Sequence, residues 1–279
     1  MKYENRQVPE GINVSNEHPL KEFLVLLAGL IVIIIAVVFV LAILAQYMAP
    51  LIPFSTEQKL LSKIETAWQE SEPASKHDKK VQQYLQELGA NLAAEMDLPE
   101  AMQLNIRYSK DKTVNAYATL GGNVMMYRGM LRNLPHENAV AMVLAHEIAH
   151  IKLRHPIVAA GRGITVALAL ASVTGLSDNG LIAGLINQIG LTSTLGFSRR
   201  QESNADKEAL RALQKHYGHV NGAEVLFQVL GEHSAMISPA FLSTHPGSKQ
   251  RIQRIKDFAQ EHASGGDVTA LPNFLQLRK

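Results

Sequence analysis

The chain has 279 residues, with 27 Lys and Arg against 25 Asp and Glu, and no cysteine. A net charge of +2 without a long basic stripe leaves no electrostatic footprint for nucleic acid, so none is expected as a partner. Without thiols there is no disulfide, no Cys-based zinc ribbon and no thiol nucleophile, and any metal must be held by His, Asp or Glu.

Residues 1–22 form an N-terminal tail. Phe23 to Ala45 then runs for 23 residues, FLVLLAGLIVIIIAVVFVLAILA, without a charged side chain. At the rise of an α-helix this covers about 34 Å, enough to cross the hydrocarbon core of a bilayer. A cleaved signal has a shorter apolar region, about 7–15 residues, ending at a small-x-small site. The segment is therefore expected to be a permanent single-pass anchor, residues 23–48, with the lipid bilayer as a partner. Lys2, Arg6 and Lys21 precede it, while Met48 to Ala67 carries only Lys59 and Lys63. That bias tilts toward a cytoplasmic N-terminus in a cell (inner) membrane and a periplasmic domain.

Pro50 and Pro53 break the helix and open a juxtamembrane helix and linker, residues 49–75, with Leu60, Leu61, Ile64 and Trp68 at helical spacing. A main domain is expected over 76–262. Val81, Leu85, Leu88, Leu92 and Met96 mark its first helix. The period then changes: QLNIRY (103–108), TVNAYA (113–118) and NVMMY (123–127) read as three short strands, turned at Gly121-Gly122, in a small antiparallel meander. A helical turn over 128–134 leads to a helix from about Pro135 to His155, closed by Pro156. The apolar stretches 163–176 and 181–197 each fall short of the roughly 20 residues of a comfortable span. They read as a helical hairpin packed over the domain and dipping into the membrane interface, with two true spans as the alternative. Charged helices follow from Ser198, at 221–232 and at 248–260, and Gly265-Gly266 falls in a flexible C-terminal tail, 263–279. The expected class is α+β, mostly helical, behind one transmembrane helix.

The most informative residues lie in the run AVAMVLAHEIAHIKLRH (139–155). On a helix His146 and His150 stand one above the other and can present two imidazoles to one metal, with Glu147 one step round, able to reach a water bound to that metal. Val140, Val143, Leu144, Ile148 and Ile151 put this HExxH pattern on a buried helix. Two His and a Glu there would be costly polar groups if they did nothing.

A catalytic zinc takes a third protein ligand and keeps one position open. The extended pattern with His six residues beyond His150 fails, because position 156 is Pro. His155 lies about 140° round a continuous helix from His150; it is expected to point elsewhere and interact with the helix dipole. Glu202 is the better candidate. Asp206, one turn later on the same face, is placed to accept from the non-coordinating nitrogen of His146 or His150. One zinc ion per chain is expected.

VLAHEIAH, SRRQESNAD, VNAYATLGG, NVMMYRGML and THPGSKQRI together resemble the membrane-associated gluzincin metallopeptidases, the family of HtpX, the CAAX prenyl endopeptidases and the Oma-type mitochondrial proteases. The resemblance implies a zincin-like metallopeptidase domain in which Glu202 is the third ligand and substrate lies extended beside an edge strand. Asn115 resembles the family's substrate-side Asn. His245 and Arg251 look like the family's His-Pro and downstream Arg near the metal, where either donates to an oxyanion or His245 latches the open position. HtpX and the prenyl endopeptidases have several spans where this chain has one. That favours a zinc metalloendopeptidase in protein quality control, with Glu147 as general base and unfolded or membrane-proximal polypeptides as substrates. The alternatives are a membrane-tethered chaperone or assembly factor and a site-specific processing protease. His77, His136, His216, His219, His233 and His262 are expected at the surface or as caps.

Overall fold

A computed structural model describes residues 18–62, 75–174, 196–226, 245, 249–262 and 265–276. It divides into two compact units, Met1–Leu41 and Ala42–Lys279. Helix α1 (Pro19–Met48) has no buried residue and leaves its Leu, Ile, Val and Phe side chains largely exposed. It is the one helix among the described residues that is long and apolar enough to cross a membrane. A 3-10 turn, Ala49–Leu51, with Pro50 in its first turn, ends it. A short helix α2 (Phe54–Ser62) follows.

Helix α3 (Lys76–Glu95) starts from a capping box in which Ser75 Oγ accepts from Asp78 N at 3.0 Å and Asp78 Oδ2 accepts from Ser75 N at 3.2 Å. Its buried stripe, Val81, Leu85, Leu88 and Leu92, has the expected helical spacing. Two glutamines beside that stripe act like a neighbouring strand toward β1 (Asn105–Ser109). Gln86 Oε1 accepts from Ile106 N at 2.9 Å and Gln82 Oε1 from Tyr108 N at 2.8 Å. Gln86 Nε2 donates to Leu104 O at 3.1 Å, and Gln82 Nε2 to Ile106 O. One sheet edge is thereby closed.

The sheet also contains β2 (Ala116–Ala118) and β3 (Asn123–Tyr127), in the order β1-β3-β2. The expected antiparallel meander is instead mixed: β1 is parallel to β3, with Ile106 opposite Val124, and β2 is antiparallel to β3. Asp111 Oδ1 accepts from Thr113 N at 2.8 Å and reverses the chain after β1. The connection sets β2 down two strand spacings away, about 10 Å. The gap is taken by β3, whose Val124, Met125 and Met126 are buried; an apolar strand gains most from the central place. Gly122, at φ +84, makes the turn into β3, and a Cβ there would stand 2.1 Å from the carbonyl oxygen of Gln103.

After the short helix α4 (Arg128–Arg132) comes α5 (Glu137–Lys152), capped by His136 Nδ1, which accepts from Ala139 N at 3.1 Å. Every residue from Asn138 to Ile151 is buried, as for a helix packed on all sides. It ends at Leu153, Arg154 turns through φ +60, and α6 (His155–Thr174) begins at once. Pro156 therefore opens a helix rather than closing one, as its preset φ and missing N–H allow. Helix α7 (Arg199–Tyr217) has a capping box between Ser198 and Gln201 and a left-handed cap at Gly218 (φ +78), and it packs along α5. Helix α8 (Lys249–Glu261) follows. Residues 181–195 of the expected hairpin and 227–232 of the expected 221–232 helix lie outside the described residues.

Residues 265–276, expected as a flexible tail, are docked. Leu275 is buried in the core, Phe274 meets Tyr84 edge-on at 6.0 Å, and Thr269 brackets the start of α5. Its O accepts from Glu137 N at 2.9 Å, and its N donates to Asn138 Oδ1 at 2.7 Å. Backbone groups satisfied by the core hold the segment where composition alone points to solvent.

Candidate metal centre

Helices α5 and α7 bring His146, His150 and Glu202 together, and His245 joins them; each offers one donor atom, all within 4.8 Å of one another. His146 Nε2 is 3.1 Å from His150 Nε2 and 3.5 Å from Glu202 Oε2. His150 Nε2 is 3.4 Å from Glu202 Oε1. His245 Nδ1 is 3.1 Å from Glu202 Oε1 and 3.4 Å from His146 Nε2. A tetrahedral ion with bonds of about 2.0–2.1 Å spaces its donors about 3.3 Å apart. The residues therefore fit a zinc ion. Converging nitrogen lone pairs in a buried pocket are otherwise unfavourable, and a cation is what reconciles them.

The electrostatics follow from that crowding. Burial alone would lower the His146 pKa, but Asp206 and Glu202 outweigh it and push it up to about 9. Burial holds His150 well below the usual imidazole range. Burial would raise Glu202, but His245, His146 and His150 drive its carboxyl far below the usual range.

Each motif histidine has a partner on its far side. His146 Nδ1 lies 3.1 Å from Asp206 Oδ1. His150 Nδ1 lies 2.9 Å from His155 Nδ1, and burial brings the His155 pKa down to about 4, so it stays neutral and able to accept. This corrects the expectation that His155 points away from the site. It returns because the left-handed turn at Arg154 breaks the helix on which the 140° angle is reckoned. Phe197 stacks on the His150 ring at 4.0 Å and 22°. Neither residue carries a sequence signal as a site residue, apart from Phe197 standing just before the cap of α7.

Arg251 Nη2 donates to Asp206 Oδ1 at 2.6 Å, its Nε to Asp206 Oδ2 at 2.8 Å, and its Nη1 lies 2.8 Å from Glu202 Oε2. These contacts hold the guanidinium against the two carboxylates. Glu147 is buried, with Oε1 3.6 Å from His245 Nε2. Asn115 is buried at the start of β2, and its Oδ1 has no hydrogen-bond partner among the described residues. Tyr127 N donates to Asn115 O at 3.2 Å and Thr119 N to Asn123 O at 2.8 Å. By alternation Ala116 and Ala118 direct their amide groups away from β3. Strand β2 is the sheet edge opposite β1, and it lies against α5.

Fold and site have the arrangement of an HExxH-type metallopeptidase. The chain belongs to peptidase family M48, which matches residues 79–259. It is 33% identical over 156 residues to mitochondrial metalloendopeptidase OMA1 of Schizosaccharomyces pombe, covering 54% of this chain and 45% of that protein. It is 28% identical over 203 residues to the beta-barrel assembly-enhancing protease of Yersinia pestis, 66% of this chain and 40% of that one. Metalloprotease YcaL of Escherichia coli (strain K12) is 28% identical over 194 residues, 66% of this chain and 70% of the relative. The match thus spans less than half the length of the first two relatives.

Proposed function

We propose that the chain is a membrane-anchored, zinc-dependent metalloendopeptidase that cleaves unfolded or damaged polypeptides close to the bilayer. The observation that supports it best is the tetrahedral spacing of buried donors beside Glu147. His146, His150 and Glu202 would hold the ion, which supplies Lewis acidity toward a carbonyl oxygen and toward water. Glu147 takes the proton of the attacking water and returns it to the departing amine. Asp206 and His155 hold the two imidazoles in the tautomer that leaves Nε2 free. The outward amides of Ala116 and Ala118 pair with an extended peptide, as an added strand pairs with a sheet edge, and Asn115 Oδ1 accepts one of its N–H groups. The anchor confines this chemistry to a membrane surface, which on the charge bias is the periplasmic face of a cell (inner) membrane.

His245 Nδ1 sits in the donor set itself, which favours the latch over the oxyanion reading. His245→Ala is then expected to speed cleavage, where an oxyanion donor would make it slower. The main test uses full-length protein in detergent, assayed for bound metal and for casein degradation. Chelation abolishes cleavage and zinc restores it. Glu147→Gln keeps the metal and loses at least about a hundredfold in rate. A metal-loaded Glu147→Gln variant that cuts as the wild type does would overturn the mechanism.

A further inference from the structure

Residues 52–57 lie between the membrane anchor and the metallopeptidase domain, and the reaction makes no use of them. Three of them nevertheless converge on one side chain. Arg154 Nη2 donates to Ile52 O at 2.5 Å and lies 2.7 Å from Glu57 Oε1. The guanidinium carbon stands 5.4 Å from the centre of the Phe54 ring. Arg154 itself is at φ +60, a left-handed conformation that a residue with a side chain keeps only when its surroundings hold it.

Glu57 reaches in two directions. Its side chain is 4% exposed, and its second oxygen, Oε2, accepts from Gly121 N at 3.0 Å. Gly121, at φ +67, lets α2 come so close that a Cβ would stand 3.1 Å from Gln58 Cα. One buried carboxylate therefore joins two features that are far apart in the chain. Arg154 immediately precedes His155, which backs His150. Gly121 lies three residues beyond the end of β2, the strand read as the substrate edge. A buried carboxylate without its cation would be costly, so the pair is held only if both elements stay in place.

We propose that Glu57 and Arg154 are positioning residues, and that the juxtamembrane segment is a strut setting the His150–His155 corner and the β2–β3 turn together. Metal retention and substrate binding then both depend on the piece of chain that leaves the membrane anchor. The strut rests on the metallopeptidase reading above, and the test separates the two.

Full-length wild type, Glu57→Gln, Glu57→Asp, Arg154→Lys and the Glu57→Gln/Arg154→Lys double variant are purified zinc-loaded in detergent. Each is measured for zinc release to a chromogenic chelator, for kcat and KM on a quenched peptide, and for Tm. Glu57→Gln keeps the shape and removes the charge. It is expected to speed zinc release about tenfold, the scale of lost support to a metal ligand, and to raise KM more than it lowers kcat. Arg154→Lys keeps the charge but lacks the planar fork; it is expected to shift both quantities the same way by about threefold. The double variant is no worse than the more affected single one, because both remove one contact, and Glu57→Asp recovers part of the loss. Zinc release and KM within twofold of wild type in folded Glu57→Gln and Arg154→Lys, with only Tm lowered, would overturn the strut and leave the metallopeptidase intact. Wild type that holds no zinc would overturn the metallopeptidase reading, and the strut with it.

Discussion

Behind His146 stands a carboxylate, Asp206, at 3.1 Å, itself gripped by Arg251 through two hydrogen bonds. Behind His150 stands a second imidazole, His155, at 2.9 Å, with Phe197 stacked on the ring face. One side of the centre is a buried chain of charges, and the other is neutral and aromatic. On the charged side each group is tolerable only because the next is present, so the network is strong while complete and costly once broken. On the aromatic side orientation comes from packing and one neutral acceptor, and removing a partner costs its contacts but strands no charge. The same task, fixing an imidazole, thus carries a different penalty on each side.

Truncation should expose that difference most clearly at Asp206. Asp206→Ala leaves Arg251 buried without its bidentate partner, and we expect a loss of about 3–5 kcal/mol in chemical denaturation together with failure to retain zinc. A loss under about 1 kcal/mol would mean that the charged side is not a coupled network. Phe197→Ala removes the stacked ring and leaves a cavity, for an expected cost of about 3 kcal/mol. In that variant zinc should still bind, more weakly. His155→Phe keeps aromatic bulk and deletes the acceptor. Its expected signature is about a tenfold loss of zinc affinity by competition titration, with thermal stability little changed. If His155→Phe instead destabilised the fold as much as Asp206→Ala, the contrast between the two sides would be wrong.

The charged side is largely legible in the sequence. Glu202 and Asp206 are one helical turn apart, as are His146 and His150, so local periodicity brings each pair to one face whatever the tertiary fold. The aromatic side is not legible in that way. His155 reaches His150 only because the chain leaves the helix at Leu153 and passes through the left-handed Arg154, and no spacing rule on a continuous helix anticipates that. The strands are readable from their alternation, but the insertion of β3 between the other two depends on where the Asp111 turn sets the chain down. Glu57 pairs with Arg154, far along the chain, a contact that only the tertiary fold creates.

The smallest expected effect concerns how the two ligand-bearing helices are tied on their outer faces. Lys152 Nζ on α5 donates to Glu208 Oε2 on α7 at 2.6 Å, and Arg211 Nη1 donates to Glu208 Oε1 at 3.0 Å. Burial would raise the Glu208 carboxyl, but Lys152 and Arg211 outweigh it and hold it below the usual range. A carboxylate whose folded pKa is depressed contributes stability above its unfolded value, about 4.3, and loses it as the pH falls through the folded value. The pair is partly exposed, so solvent screening limits the contribution to about 0.5–1 kcal/mol. Lys152→Met should therefore lower stability slightly at pH 7, and the difference from wild type should shrink below about pH 4. Taking the difference cancels the acid loss of zinc and of the Asp206 network, which both proteins share. A gap that widened in acid would mean that Lys152 acts through its aliphatic packing rather than its charge, and the outer tie would then resemble the aromatic side of the centre rather than the charged one.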